Sequence, residues 1–445
     1  MFVSEISQYL PLREIIQELL KERGLNQLDI ARLSNVSQST LSNALLGKRN
    51  FSLEQVDKIT DGLGFPKGAL YPYYESEMYG PSGKVLPTKL CSFIRHCYYR
   101  NLDYIGRKYI KKLSDISNKS LSKLYLSLGE DLHKMGFVLD AIEIYRLVIG
   151  MELTRIVETP TLVLSYYRLF SALREMALEE AYDIAIMFSY TVDLMPSKSS
   201  TRFDDDSDDI RTDAIRKLIS YFYVLEKWKK VIELCDKLAI FTKQKEDMIN
   251  YGNSLVYKGR AAYYLGMNEM ALQIIEDYIN IEDKNGDFKR WGTANRYNVL
   301  IESGNVSLIP EYLTWLDRHV GEINASLPVI LNACLVHDNI NIMENIINAY
   351  IPIANKNFEA SKKTPWDRRI RVRINFYLAH YLLKSNNIKD IPNIILNIAE
   401  ESVRLKLSKY FSDLFPLILD VYHEFKDEEK QKLKDCIEQI NKNTP

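Results

Sequence analysis

Apolar residues recur three or four positions apart through most of the chain, which is the spacing of one face of an α-helix. The pattern begins in the run from Pro11 to Glu22, where Ile15, Ile16, Leu19 and Leu20 fall on one side. Few prolines interrupt the later apolar segments. We therefore predict an all-α fold.

Capping residues predict three short helices directly after this first run. Asn26 can cap one helix, and Ser37 can cap the next, from Gln38 to Leu46. Ser52 with Gln55 has the spacing of a capping box that opens a further helix. Together with the first run, these segments predict a compact bundle of at least four helices.

The helix that begins after Ser37 has two chemically different faces. Val36, Leu41 and Leu45 are expected to face the core, which leaves short hydrogen-bonding side chains on the opposite face. Such side chains can contact base edges in the major groove, and Gln27 on the preceding helix can donate its amide to a phosphate. The predicted DNA-binding residues are Gln27, Gln38, Ser39, Thr40, Ser42, Asn43, Lys48 and Arg49.

The segment from about residue 12 to 66 resembles the helix-turn-helix of the phage-repressor-like family. The matching positions are Leu25-Asn26-Gln27, Ile30-Ala31, Val36-Ser37, Leu41, Gly47-Lys48 and Ser52-Leu53. The resemblance implies that Gln27 clamps a phosphate while Gln38, Ser39 and Asn43 contact bases. Ser34-Asn35 stands where the family often has Gly, and Asn tolerates the left-handed backbone. The alternative is a domain that keeps this fold for dimerisation or docking without binding DNA.

Charge restricts nucleic-acid contact to a local patch. The 445 residues carry a net charge of −1 with a pI near 6.6, which excludes a general polyanion binder. No acidic residue lies between Ile30 and Leu53, whereas the first 70 residues as a whole contain eight basic and eight acidic side chains. Binding of one copy to DNA should therefore be weak, and we expect a homodimer that binds two half-sites of double-stranded operator DNA.

Composition and motifs argue against several other classes of protein. The five cysteines are scattered, which favours reduced thiols in the cytoplasm, and the cluster of Cys91, His96 and Cys97 lacks the second ligand pair of a metal site. No secretion signal or membrane-length apolar run is visible, so we expect a soluble cytoplasmic protein without membrane contact. No catalytic or cofactor-binding motif is present, so we expect neither an enzyme nor a cofactor.

The chain length and a change in composition after the first bundle predict several domains. Proline, glycine and tyrosine are dense after the first bundle, and we interpret this stretch as a linker ordered by tyrosine packing. The predicted domains are a helix-turn-helix domain at 1–66, a linker at 67–88, and a tetratricopeptide-like repeat domain for peptide binding and dimerisation at 89–445.

Two segments of the third region resemble tetratricopeptide repeats. Each has a small residue in a first helix, a glycine in the turn and an alanine in a second helix. In chain order these residues are Gly129, Gly136 and Ala141, then Gly259, Gly266 and Ala271. Degenerate copies elsewhere suggest about seven to nine pairs. The predicted fold is thus an N-terminal helix-turn-helix bundle followed by a tetratricopeptide-like α-superhelix; the alternative is a non-repetitive helical bundle.

A superhelix of helix pairs has a concave groove lined by the first helix of each pair. Aligning the small residues of the first helices predicts four peptide-binding positions in that groove. They are Arg260, Asn298, Asn332 and His380. An asparagine can both donate to and accept from a peptide backbone, and Arg260 can bind a carboxylate. For each of these side chains taken alone, a solvated or capping role is the alternative.

Two charged stretches stand out in the repeat region. Residues Ser199 to Asp213 are interpreted as a solvated loop because the aspartates lack the Gly and Glu spacing of an EF-hand. Residues Lys362 to Arg373 place six basic residues around the start of a late helix. A carboxylate or an acidic partner could bind there, although a solvated basic face is the commoner outcome.

The combination resembles the cytoplasmic peptide-pheromone receptors of Gram-positive bacteria and their phages. This resemblance implies a quorum-sensing transcription regulator whose DNA binding is controlled by a short signalling peptide in the repeat groove. Two alternatives remain: a DNA-binding regulator whose repeats dock a protein partner, and a scaffold whose helix-turn-helix mediates only association.

Overall fold

A computed structural model describes residues 11–80, 82–154, 158–176, 178–196, 209–360, 364–405 and 412–442. The predicted loop at Ser199 to Asp213 lies mostly outside these ranges, as do Lys362 and Lys363 of the basic stretch. The chain divides into two compact units, Met1–Arg211 and Thr212–Pro445. The domain boundaries predicted from the sequence, at residues 66 and 88, stay predictions.

The first four helices form as the capping residues predict. They are α1 (Leu12–Glu22), α2 (Gln27–Leu33), α3 (Gln38–Leu45) and α4 (Leu53–Gly62). Asn26 caps α2 by accepting hydrogen bonds from the backbone N–H groups of Leu28 and Asp29, at 2.8 and 3.0 Å. Ser37 caps α3, and Ser52 with Gln55 forms the predicted capping box of α4. These caps satisfy amide groups that have no partner within a helix.

The turn between α2 and α3 depends on Asn35. Its φ is +50°, in the left-handed region that asparagine enters more readily than most residues. The next amide, of Val36, donates to the carbonyl of Ala31 at 3.1 Å, which closes the helix end. Asparagine therefore fills the position where the family often has glycine, as expected.

The remaining helices of the first unit begin with a 3₁₀ helix at Tyr71–Met78. It is followed by α5 (Pro87–Tyr99), α6 (Asp103–Asp115), α7 (Ser122–Lys134), α8 (Val138–Glu152), α9 (Pro160–Met176) and α10 (Leu178–Thr191). Tyr71, Tyr73 and Tyr74 are buried, whereas Tyr79 is exposed. The tyrosines of the predicted linker thus belong mostly to packed structure.

The second unit is also helical. Its longer helices are α11 (Ile210–Val224), α12 (Trp228–Gln244), α13 (Met248–Tyr264), α14 (Asn268–Ile279), α15 (Asp287–Glu302), α16 (Ile309–Leu316), α17 (Ile323–Val336), α18 (Ile340–Ala360), α19 (Pro365–Lys384), α20 (Ile391–Leu405), α21 (Phe415–Val421) and α22 (Asp427–Lys442). Within the described residues no strand occurs, and no helix is long and apolar enough to cross a membrane.

One turn geometry recurs between the paired helices of both units. A residue with φ between +54° and +103° follows the first helix, and an α-helix or a short 3₁₀ helix begins two positions after that residue. The amide after that residue donates to a carbonyl five positions back at 2.8–3.1 Å. The residues with positive φ are Gly136, Glu226, Glu246, Gly266, Gly304, Asp338 and Asn386. This repetition and the helical content confirm the predicted fold class.

Small residues let the paired helices approach closely. A Cβ placed on Gly129 in α7 would lie 2.8 Å from the Tyr145 ring in α8. A Cβ on Gly259 in α13 would lie 3.3 Å from Ile274 in α14, and Ala271 there is completely buried. The small residues identified in the sequence therefore lie at helix–helix contacts.

Gly62 provides a test of close packing in the N-terminal bundle. A Cβ at this position would lie 2.9 Å from the backbone carbon of Leu33 and the backbone nitrogen of Ser34. We expect Gly62→Ala to destabilise the bundle by about 1–3 kcal/mol, because backbone atoms cannot yield without shifting α2. Urea unfolding followed by circular dichroism would measure this change.

Gly150 in α8 is the matched control, since a Cβ there meets no atom within 4 Å. Gly150→Ala should raise stability by up to about 1 kcal/mol, because alanine is the better helix former. Equal unfolding midpoints for the two variants would contradict the packing argument.

Candidate DNA interface and repeat-unit cleft

The sequence of α3 separates a core face from a solvent face. Val36, Leu41 and Leu45 retain 8%, 0% and 3% of their accessible surface, as predicted for the core. The opposite face is available to solvent. Of the predicted DNA-binding residues, Gln27, Gln38, Ser39, Asn43, Lys48 and Arg49 are exposed, while Thr40 and Ser42 are half-buried. The structure therefore collects short donors and acceptors on α3, with two basic residues directly after it.

The loop that carries these basic residues is fixed by the 3₁₀ helix at 71–78. The Glu77 carboxylate accepts a hydrogen bond from the Phe51 amide at 2.9 Å, and the Glu77 carbonyl accepts one from Asn50 Nδ2 at 2.9 Å. Tyr74 donates its hydroxyl to the Phe51 carbonyl at 3.2 Å. Burial raises the pKa of Glu77. These hydrogen bonds fix the loop after α3 to the 3₁₀ helix.

A second polar cluster joins α4 to α5. Asp57 accepts hydrogen bonds from the Tyr71 hydroxyl at 2.5 Å and Arg100 Nη2 at 2.6 Å, and its other contact is His96 Nε2 at 2.9 Å. Burial opposes ionisation of Asp57, but hydrogen bonds from His96 and Tyr71 and the nearby cations lower its pKa overall.

Cys91, His96 and Cys97 form a cluster in the sequence that lacks the second ligand pair of a metal site. In the structure, His96 contacts the Asp57 carboxylate. No group of metal-binding side chains occurs in the described part of the chain.

In the second unit, α13, α15 and α19 enclose a narrow cleft. Arg260 donates from Nε to Asn295 Oδ1 at 3.3 Å, and Asn295 Nδ2 donates to the Tyr278 hydroxyl at 2.8 Å. Asn298 lies on the same side of α15, is 9% exposed, and has no hydrogen-bond partner for Oδ1 among the described residues. Arg260 and Asn298 thus line one site.

The other two predicted groove residues do not line this cleft. Asn332 is half-buried on α17. His380 lies four turns along α19 from its start, where it packs against Phe376 with ring centroids 4.7 Å apart, and burial lowers its pKa. The structure therefore brings Arg260 and Asn298 together and places Asn332 and His380 elsewhere, and a role in peptide binding stays a prediction for all four.

Aromatic and basic side chains dominate the walls of the cleft. Arg373 on α19 donates from Nη1 to the Tyr264 hydroxyl at 2.7 Å. The cavity is small, with about 30 Å³ of space, which is the scale of a few water molecules. The lining includes Tyr223, Arg260, Tyr263, Tyr264, Asn295, Asn298, Trp366 and Arg373.

A completely buried arginine lies beside the aromatic residues that line the cleft. Arg369 is 0% exposed and its Nη2 forms an ion pair with Glu226 at 2.8 Å. Four aromatic rings lie 5.0–5.5 Å from its guanidinium carbon, within the range of cation–π attraction. The rings belong to Tyr223, Trp228, Tyr264 and Trp366.

Basic side chains affect the ionisation of one tyrosine of the cleft. Burial alone would raise the pKa of Tyr264, but the guanidinium groups of Arg373 and Arg369 outweigh burial and lower it. A phenol responds in this way only when the surroundings favour its anion. The guanidinium groups of Arg260 and Arg373 line the same cleft and can bind an anionic group.

Sequence reasoning underestimated Arg369 and Arg373. Both lie in the basic stretch for which a solvated face was the commoner expectation, yet they are 0% and 6% exposed. The available signal was the aromatic residue Trp366 within the same run. Arg368, also in this run, is half-buried and pairs with Glu401 at 3.3 Å.

A family model described as "Helix-turn-helix" matches residues 16–70. The N-terminal helices are therefore a helix-turn-helix domain, a class of domain that binds DNA. Among solved structures, the chain is similar to aspartyl phosphate phosphatase F from Bacillus subtilis, at 12% identity over 94% of each chain with a TM-score of 0.29.

The chain is also similar to a circular tandem repeat protein with novel repeat topology, at 14% identity. That match covers 97% of this chain and 98% of the other, with a TM-score of 0.15. No curated protein matches the chain.

The Asp57 cluster makes a prediction about pH. The lowered pKa means that ionised Asp57 contributes stability above its ordinary pKa of 3.8, and this contribution is lost as the pH falls through the folded-state value. We expect Asp57→Asn to cost about 1–3 kcal/mol at neutral pH. Thermal unfolding between pH 7 and about pH 3 would measure the difference from the unmodified protein.

That difference should shrink as the pH falls below about 4, where Asp57 of the unfolded chain becomes protonated, and it should disappear only below the folded-state pKa, where both proteins carry a neutral side chain. Asp61→Asn is the control, since Asp61 is exposed on the same helix. A cost for Asp57→Asn that is constant across this pH range would rule out the ionised cluster.

Proposed function

We propose that this protein is a cytoplasmic transcription regulator that binds operator DNA as a homodimer and is controlled by a short signalling peptide bound in its repeat region. The observation that carries the DNA-binding part is the exposed polar face of α3, placed on a helix-turn-helix domain. The proposal assigns no catalytic activity and no cofactor to the chain.

The exposed face of α3 suits base recognition because glutamine and asparagine each offer a donor and an acceptor. Gln38 and Asn43 can each form two hydrogen bonds with an adenine edge, and Ser39 can contact either kind of partner. Lys48 and Arg49, exposed after α3, suit phosphates. One such helix contacts few bases, so a two-fold dimer on two half-sites supplies the missing affinity.

The cleft suits the acidic or carboxyl end of a peptide. Arg260 lines it together with Asn298, whose Oδ1 is buried without a partner in the described chain. A buried acceptor of this kind costs free energy, and a peptide N–H would satisfy it. The guanidinium groups of Arg260 and Arg373 in the same lining favour a carboxylate on this ligand.

The second candidate is a regulator whose repeats dock a protein partner instead of a free peptide. The small volume of the cleft favours this candidate, since about 30 Å³ does not accommodate an extended strand. The first candidate therefore requires that the cleft opens when the peptide binds.

A double variant tests DNA recognition. We expect Gln38→Ala with Asn43→Ala to weaken specific DNA binding by about 1–3 kcal/mol for each lost bidentate contact, with little effect on non-specific binding. Mobility shift with fragments from around the gene would identify the operator and measure both affinities. Lys48→Ala is the comparison. This substitution should weaken binding to all DNA sequences alike, and it should reduce the slope of log affinity against log salt concentration by about 1. Unchanged operator binding in the double variant would leave only the scaffold role.

A second pair of variants tests the peptide. We expect Asn298→Ala to weaken binding of the controlling peptide by about 1–3 kcal/mol while the fold is preserved, because the side chain makes no hydrogen bond through Oδ1 within the described chain. Asn332→Ala tests the original prediction for α17 in the same assay. Synthetic peptides from small open reading frames beside the gene, added to the mobility-shift assay, would reveal the ligand.

A DNA shift that no peptide changes would favour the protein-partner candidate. Peptide affinity that is unaltered in both asparagine variants would contradict the assignment of the groove.

A further inference from the structure

Glu226 occupies a backbone position that favours smaller residues. It ends α11 with φ +57°, in the left-handed region. The matching positions of other turns hold Gly136, Gly266 and Gly304, which enter this region without steric cost. Glutamate has no such advantage. Glu246 has the same conformation with an exposed side chain, whereas the Glu226 side chain makes a contact within the second unit.

The Glu226 side chain contacts Arg369 on α19. Oε1 of Glu226 accepts a hydrogen bond from Arg369 Nε at 2.9 Å, and Arg369 Nη2 lies 2.8 Å from the same oxygen. The two residues are 143 positions apart in the sequence. The Glu226 side chain keeps 18% of its accessible surface, whereas the Arg369 side chain keeps none.

The pair shares aromatic neighbours with the cleft described above. Tyr223 on α11, Tyr264 on α13 and Trp366 on α19 both surround Arg369 and line the cleft. Trp228 stacks on Tyr264 with ring centroids 4.4 Å apart, which extends the same packing. Holding the start of α19 against the α11–α12 turn therefore also holds these walls together.

We propose that the Glu226–Arg369 ion pair is a latch that keeps the cleft closed, and that a carboxylate on the ligand opens it by replacing Glu226 on Arg369. The ligand part of this inference rests on the proposed function. Separating a buried pair leaves a guanidinium without a counter-charge, which is costly. A ligand that brings its own carboxylate removes that cost, whereas a neutral ligand does not.

The latch is tested on the full chain without DNA or peptide. Glu226→Gly removes the carboxylate and suits the left-handed backbone. We expect amide hydrogen exchange at the α11–α12 turn and in the first turns of α19 to become at least about 10-fold faster, since latch opening exposes both segments. Acrylamide should also quench more of the tryptophan fluorescence, because Trp228 and Trp366 lie beside Arg369.

The matched control is Glu246→Gly. Glu246 has φ +58° at the turn between α12 and α13, and its side chain is exposed. The Glu246→Gly substitution should leave amide hydrogen exchange in α19 unchanged. If Glu226→Gly fails to fold, Glu226→Gln removes the charge alone and should give the same local change. Exchange in α19 that is as slow in the Glu226 variants as in the unmodified protein would overturn the latch.

The ligand part is tested with two synthetic hexapeptide mixtures. One carries a glutamate and a free C-terminal carboxylate, and the other carries glutamine and a C-terminal amide. We expect the acidic mixture to bind the unmodified protein at least about 10-fold more tightly by fluorescence polarisation. Equal affinity would overturn replacement of Glu226 by the ligand. Because the exchange experiment contains no ligand, the latch and the peptide-control proposal fail independently.

Discussion

The left-handed turn between paired helices is the constraint on which the repeat structure depends. A helix that must reverse within two residues leaves its last carbonyls unpaired unless the chain bends into the positive-φ region and donates an amide back. At each turn of this type the next helical segment, an α-helix or a short 3₁₀ helix, begins two residues after the positive-φ residue. Where an α-helix begins at that point, the shared offset brings Gly129 against Ile144 and Gly259 against Ile274. Lengthening such a turn by one residue would move small residues away from the contacts they permit.

Residues close together in the sequence made several helix starts and turns predictable. Asn26, Ser37 and Ser52 cap helices through hydrogen bonds to residues two or three positions away, so the sequence contains both partners together. Gly136 and Gly266 signal left-handed turns because few other residues enter that region easily. Glu226 and Glu246 occupy the same conformation without any such signal. Those two turns could not be recognised from residue type.

The contacts that define the cleft could not be predicted, because they join distant parts of the chain. Arg369 lies in a basic run, and nothing nearby in the sequence shows that Glu226 and several aromatic rings surround it. The groove residues show the same limit. Small residues locate helix–helix contacts but do not fix the rotation of each helix toward the concave side. Asn298 therefore lines the cleft, while Asn332 and His380 do not.

Buried charge gives the second unit an unusual electrostatic requirement. Arg260, Arg369 and Arg373 all favour the anionic form of Tyr264, while Glu226 is the carboxylate that contacts Arg369. Aromatic faces stabilise a cation but supply no net charge, so they compensate its burial only in part. A core built for stability alone would be served as well by apolar side chains of similar volume. The arrangement is better explained as a site that tolerates exchange of one carboxylate for another, because the cations stay fixed while their counter-charge changes.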